Sequence, residues 1–213
     1  MVQKIFEEVP LEVLQHDLEK YRQRALELGA ADARIITTDM ILIDERVRGK
    51  CHFPRCGSFG TSAHCPPHAM DLDQVRKIVK KFQYALFTMF KVPSEEMIGR
   101  EAISKGLIAR GQMKNFEIIA KIEAEAFYDG YYLAMGFAGG PCKRAFCPDK
   151  ECSALVPGKS CHHQGKARSA MEAVGMDAYL MAAKAGWEIY PVGASSIPSE
   201  VPHGTRLGLV LIY

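Results

Sequence analysis

Four cysteines, Cys142, Cys147, Cys152 and Cys161, fall within twenty residues, with four, four and eight positions between successive thiols. Gly139-Gly140-Pro141 introduces the first of them. An earlier group in the chain, the first of the two, is Cys51, Cys56 and Cys65, with intervals of four and eight. Thiolates brought this close can hold a metal ion or cluster, and Gly- and Pro-rich backbone lets them converge without distorting a core. Pro148 follows Cys147 directly and Pro66 follows Cys65. A Cys-Pro step is also found in ferredoxin loops.

The spacing favours iron–sulfur over zinc. Structural zinc sites pair thiols two to four residues apart, often with histidine, so intervals of eight fall outside the pattern. Iron–sulfur clusters accept more varied spacing, including intervals of four. The group Cys142, Cys147, Cys152 and Cys161 can ligate a 4Fe–4S cluster completely. Three thiols, Cys51, Cys56 and Cys65, would leave one iron open to water, substrate or another ligand. His52, His64 and His68 lie beside these cysteines as possible fourth ligands, and His162 and His163 follow Cys161. Taken singly, each of these histidines reads by default as a solvated loop residue. One site built from both groups, with some cysteines idle, is the other arrangement the spacing allows.

Other chemistry is weakly signalled. Gly139-Gly140 is not part of a Gly-x-Gly-x-x-Gly dinucleotide fingerprint. No Ser/His/Asp signature stands in a recognisable setting. Arg168, Glu172 and Asp177 could rim the second site but read by default as helix-surface charges. Tyr128, Tyr131 and Tyr132 read as core and strand residues rather than as a stacking platform.

Around the cysteines, the pattern predicts a first helix from Pro10, with Leu11, Leu14, Leu18, Tyr21, Ala25 and Leu28 on one face and Gly29 as its stop. Arg34 to Thr38 and Met40 to Ile43 read as one or two short strands. Asp71 reads as an N-cap with Gln74 in capping-box position, opening a helix through Phe82. Tyr84 to Phe90 reads as a central strand. Ser94 reads as the cap of a helix reaching about Tyr128, broken near Gly106 or Gly111. Tyr131 to Phe137 reads as a strand feeding the Gly139-Gly140 turn. A helix is expected from about Arg168 to Lys184, breakable at Gly175. Trp187 to Val192 and Leu207 to Tyr213 read as closing strands, with Gly193 to Gly204 as a loop. Alternation of strands and helices gives an α/β or α+β class: a mixed sheet with helices packed on it. The chain reads as a single domain, 1–213, with Cys-rich metal-binding loops at about 48–70 and 139–165.

The chain has 213 residues, 48% of them hydrophobic, enough to bury a core. With 27 basic and 25 acidic residues the formal net charge is +2, too small a field to argue for nucleic acid or a membrane surface as partner. Met1 to Pro10 includes Glu7 and Glu8 and no apolar stretch, so it does not read as a signal peptide. No run reaches the roughly 18 apolar residues of a membrane span. A cytoplasmic setting is expected. Disulfides are uncommon there, and seven cysteines cannot all pair.

The motifs Arg48-Gly49-Lys50-Cys51, Pro54-Arg55-Cys56 and Cys65-Pro66-Pro67 resemble the front half of an uncharacterised family labelled "predicted metal-binding protein". The resemblance continues through Asp129-Gly130-Tyr131-Tyr132, Gly139-Gly140-Pro141-Cys142 with its three later cysteines, and Ala167-Arg168 to Asp177. It implies a soluble prokaryotic protein, common in anaerobes, whose cysteines bind metal or iron–sulfur clusters, and it supplies no reaction. Many relatives carry an Arg and a Pro after the last cysteine, where this chain reads His162-His163-Gln164-Gly165. The expected function is therefore that of a 4Fe–4S protein in electron transfer or cluster-dependent redox chemistry of anaerobic metabolism, with a redox protein or small molecule as partner. The alternatives are a zinc-stabilised binding module without a redox role and a metal- or cluster-delivery factor.

Overall fold

The computed structural model describes residues 3–193 and 195–213. Met1 and Val2, part of the stretch read for a signal peptide, and Ala194, within the loop expected over Gly193 to Gly204, lie outside the described residues.

Helix α1 covers Leu11–Glu27 and buries Leu14, Leu18, Tyr21 and Ala25 on one face. The period anticipates this stripe, although Leu11 is left exposed. Strand β1 is Asp32–Thr37. Of the one or two strands read over Arg34 to Ile43, only this first one forms, and Met40 to Ile43 is not a strand. A single 3₁₀ turn, Thr38–Met40, follows β1, and Ile43 makes only an isolated bridge to Met176. Helix α2, Glu45–His52, then carries the chain into the first cysteine group, so Cys51 is helical rather than in a loop. Helix α3, Leu72–Val79, starts as predicted: the Asp71 carboxylate accepts the Gln74 N–H at 2.8 Å.

Strand β2 is Tyr84–Val92. The long helix expected from Ser94 divides. Ser94 is not a cap; its hydroxyl donates to the Val201 carbonyl at 2.5 Å, and a 3₁₀ turn forms over Ser94–Glu96. Helix α4 is Gly99–Ser104, and Gly106, with φ of 66°, separates it from α5, Leu107–Tyr128. Strand β3 is short, Met135–Ala138. Tyr131, expected in this strand, lies before it and is buried, with its hydroxyl donating to Asp17 at 3.0 Å. Helix α6 is Cys142–Phe146. The helix expected from Arg168 is instead strand β4 (Ser169–Ala170), a 3₁₀ turn over Glu172–Val174, Gly175 at φ 79° and helix α7 (Ala178–Lys184). Trp187 to Val192 forms no strand. Trp187 instead stacks on Phe87 at 4.8 Å, and its Nε1 donates to Asp32 at 2.7 Å. Strand β5 is Gly204–Leu211.

The five strands form one mixed sheet in the order β1-β2-β5-β3-β4, antiparallel except for the β3–β4 pair. Alternate side chains feed two cores. Phe87, Met89, Leu207, Leu209 and Leu211 join Val75, Met171, Met181 and Trp187 on one face. Leu86, Phe90 and Val210 join α1 and α5 on the other, through Leu18, Tyr21, Phe116 and Ile119. Each fully buried large apolar side chain contributes about 1.5–3 kcal/mol. The sheet is thus covered on both faces, and Cys142 and Ala145 belong to the α5-side core. No helix among the described residues is long and apolar enough to cross a membrane.

Candidate metal centre

Strand β3 delivers the chain to Gly139-Gly140 and then to α6, whose first residue is Cys142. Gly140 has φ of 76°, and a Cβ there would stand 2.0 Å from Gln112 Nε2, so the turn requires glycine for conformation and for space. The turn presses Cys142 into the α5-side core, where it is 7% exposed. Lys143 ties down the next segment, its Nζ donating to the carbonyls of Cys147, at 3.2 Å, and Lys150. The His162 N–H donates to Ser153 Oγ at 3.2 Å, which links the Cys161 segment to the one beginning at Cys152. All four cysteines consequently border one open recess, walled also by Phe146 and Ala167.

The first group is built differently. Asp44 caps α2 by accepting the Arg46 N–H, and the helix brings Cys51 to its last turn. Arg48 donates to the carbonyls of Met70, at 2.6 Å, and Ala69, so it ties the helix to the far end of the cysteine segment. Backbone bonds Cys56 N–H to Cys51 carbonyl (3.0 Å) and Gly60 N–H to Pro66 carbonyl (2.7 Å) fold the loop between them. Cys65 is buried, Cys51 half-buried and Cys56 exposed.

The two groups adjoin. Cys142 Sγ lies 3.8 Å from the buried Ser62 hydroxyl, and the same hydroxyl hydrogen-bonds the Cys65 side. Burial pushes the Cys142 thiol up to about 12; Ser62 opposes the shift, and the nearby Cys65, Cys152 and Cys161 add to it. Burial, then neighbouring thiols, also raises Cys51 and Cys147. Burial raises Cys65 as well, opposed by Ser62 and reinforced by Cys56, Glu172 and Cys152. Thiols crowded in this way cannot all ionise without a cation to offset their mutual repulsion.

Among the described residues, no three His, Cys, Asp or Glu side chains stand together as a group able to hold a metal ion. What the structure does assemble is a set of four thiols around one recess. Two backbone donors already address sulfur: His163 N–H to Cys161 Sγ at 3.3 Å and Ser58 N–H to Cys56 Sγ at 3.5 Å. Such bonds stabilise thiolate ligands and tune a cluster's potential.

The histidines separate. His64 lines the four-cysteine recess, with its Nδ1 3.1 Å from Ser169 Oγ; burial and Arg168 lower its pKa. His163 also lines that recess and stacks on Phe146 at 5.2 Å. His52 packs against Phe59, and His68 and His162 are exposed. Of the polar residues weighed as a rim, Arg168 pairs with Glu123 at 2.6 Å and Asp177 caps α7. Glu172 differs. The residue is exposed, yet surrounding protein raises its carboxyl pKa against the Gly140 N–H, and its charge bears on Cys51 and Cys65. Tyr128 and Tyr132, expected in the core, are exposed. Ser62 and Lys143 carried no sequence signal for their roles, since a lone Ser or Lys acquires such a role only through tertiary placement.

No curated protein and no solved structure matches the chain. The profile of one family, described as "Predicted metal-binding protein (DUF2284)", matches residues 34–212, a span that contains both cysteine groups and every strand except the first two residues of β1. By that match the chain belongs to the family of predicted metal-binding proteins.

Proposed function

We propose that the protein is an iron–sulfur protein acting in electron transfer or cluster-dependent redox chemistry, with Cys142, Cys147, Cys152 and Cys161 holding a 4Fe–4S cluster and Cys51, Cys56 and Cys65 holding a second. The observation that carries this reading is the common recess bordered by all four cysteines of the second group. Its donor set is all thiolate, and the intervals of four and eight suit a cluster better than a zinc ion. When bound, a 4Fe–4S cluster supplies one-electron transfer at a potential set by burial and by hydrogen bonds to sulfur.

The chain's own residues prepare the site. Phe146 and Ala167 give the recess an apolar wall. Lys143 fixes the turn after Cys147 through its two carbonyl bonds. The Cys161 and Cys56 sulfurs each receive a backbone N–H. Ser62 contacts both Cys142 and Cys65, and this adjacency of the two groups supports passage of electrons from one to the other. The first group, with three thiols and an exposed Cys56, is the end open to a small molecule or a redox partner.

The test is anaerobic purification with iron, acid-labile sulfide and zinc content, alongside the visible spectrum. A brown protein that loses part of its iron in Cys147→Ser, while keeping absorbance from the first group, supports the reading. Undiminished iron in Cys147→Ser sinks the four-thiolate assignment.

A further inference from the structure

Strand β5 turns Arg206 onto the face of α5, one pleat before Gly208, which packs on Ile119. The guanidinium enters where α5 carries a glycine: a Cβ at Gly111 would stand 2.6 Å from Arg206 Nε. Arg206 is only 8% exposed. Its Nη2 donates to the Ile108 carbonyl at 3.2 Å, its buried Nε has no partner, and it forms no ion pair among the described residues. Burial brings its pKa down to about 10, with Glu96 too distant to pair and Arg144 adding repulsion. A buried cation of this kind ordinarily has a carboxylate against it.

The same stripe of α5 offers two more unused polar atoms. Gln112 is 5% exposed and Asn115 2% exposed, and Gln112 Oε1 and Asn115 Oδ1 have no hydrogen-bond partner. Asn115 Nδ2 is fixed by donating to the Leu207 carbonyl at 2.9 Å, so its oxygen is the free acceptor. Gln112 lies against Gly140, at the turn into Cys142. Ile108, Gly111, Gln112 and Asn115 recur at helical spacing on one face. A cationic donor and two neutral acceptors thus lie along one stripe of α5, and Arg206 Nε, Gln112 Oε1 and Asn115 Oδ1 have no hydrogen-bond partner among the described residues.

We propose that Arg206, Gln112 and Asn115 form a binding site for a small carboxylate bearing an adjacent hydroxyl or amino group. The carboxylate offsets the guanidinium, and the ligand's O–H or N–H donates to the amide oxygens. The site adjoins the turn that leads into the four-cysteine recess, but it requires no particular metal there.

Calorimetric titration of the full-length protein with glycolate, glycine and acetate tests this. Glycolate or glycine should bind saturably, about tenfold more tightly than acetate, which lacks the second donor. Arg206→Met should abolish binding of all three and raise the thermal midpoint of the ligand-free protein, because it removes an unpaired buried charge. Gln112→Met, which keeps the arginine, should bind acetate as the parent does and lose the preference for glycolate. Absence of saturable binding in the parent overturns the proposal. So does unchanged binding in Arg206→Met, or a lowered midpoint in that variant, which makes the arginine a structural group.

Discussion

Cys51-Cys56-Cys65 and Cys147-Cys152-Cys161 share the same spacing, yet the fold treats them differently. The second set gains a fourth thiol, Cys142, anchored in the α5-side core, and all four border one recess. The first set hangs from the last turn of α2, closes by backbone bonds and an arginine strap, and leaves Cys56 exposed. Phe53 beside it is 84% exposed. Spacing sets how far apart the thiols can be; burial and the supporting elements decide how many of them face one recess and how exposed each is.

The largest expected effect comes from removing the core-anchored thiol. Cys142→Ser should lower iron and sulfide to roughly half those of the parent and leave the first group's absorbance. Loss of both signals together would mean that the seven thiols serve a single centre. Next in size is Gly140→Ala, which places a Cβ in the left-handed region and against Gln112. It should cost at least about 1–2 kcal/mol, read as a lower denaturation midpoint, and should reduce metal retention in the second group only.

A smaller effect follows from ionisation. A thiol in the unfolded chain titrates near ~8.5, whereas Cys142 in the fold is pushed up to about 12. Its contribution to the metal-free protein is therefore fully present below the lower value and lost as pH rises through the higher one. Thermal midpoints of metal-free protein should fall across that alkaline window, and Cys142→Ala should flatten the fall. Metal uptake should move the other way and strengthen as pH rises, since binding releases thiol protons. Smallest is Ser62→Ala. Removing the hydroxyl shared by the two groups should cost about 1 kcal/mol and change the potentials of both centres. A change confined to one centre would show that the groups do not communicate through this residue.

The two cysteine groups were legible as candidate ligand sets because thiols clustered in Gly- and Pro-rich sequence have few other uses. So were α1, from its apolar period, and the start of α3, from Asp71 and Gln74. The pattern leaves open whether Arg34 to Ile43 holds one strand or two; only the first forms, because Met40 to Ile43 is used to bridge to Met176 and pack on the core rather than to extend the sheet. Trp187 likewise satisfies its ring and its N–H through Phe87 and Asp32 instead of in a strand. The expected helix from Arg168 did break at Gly175, which is left-handed, but its first part gave way to a β4 pairing with β3 that no local propensity predicts. In the site, the cysteines could be read singly, but the adjacency of the groups through Ser62 depends on residues 80 positions apart. The buried stripe of Gln112, Asn115 and Arg206 is equally a product of register between α5 and β5.

The most direct measurement is iron and acid-labile sulfide per chain in anaerobically prepared protein, read beside its visible spectrum. Two 4Fe–4S centres give a brown protein with about eight of each. A colourless protein holding one or two zinc ions and no sulfide would contradict the redox assignment and make both cysteine groups structural.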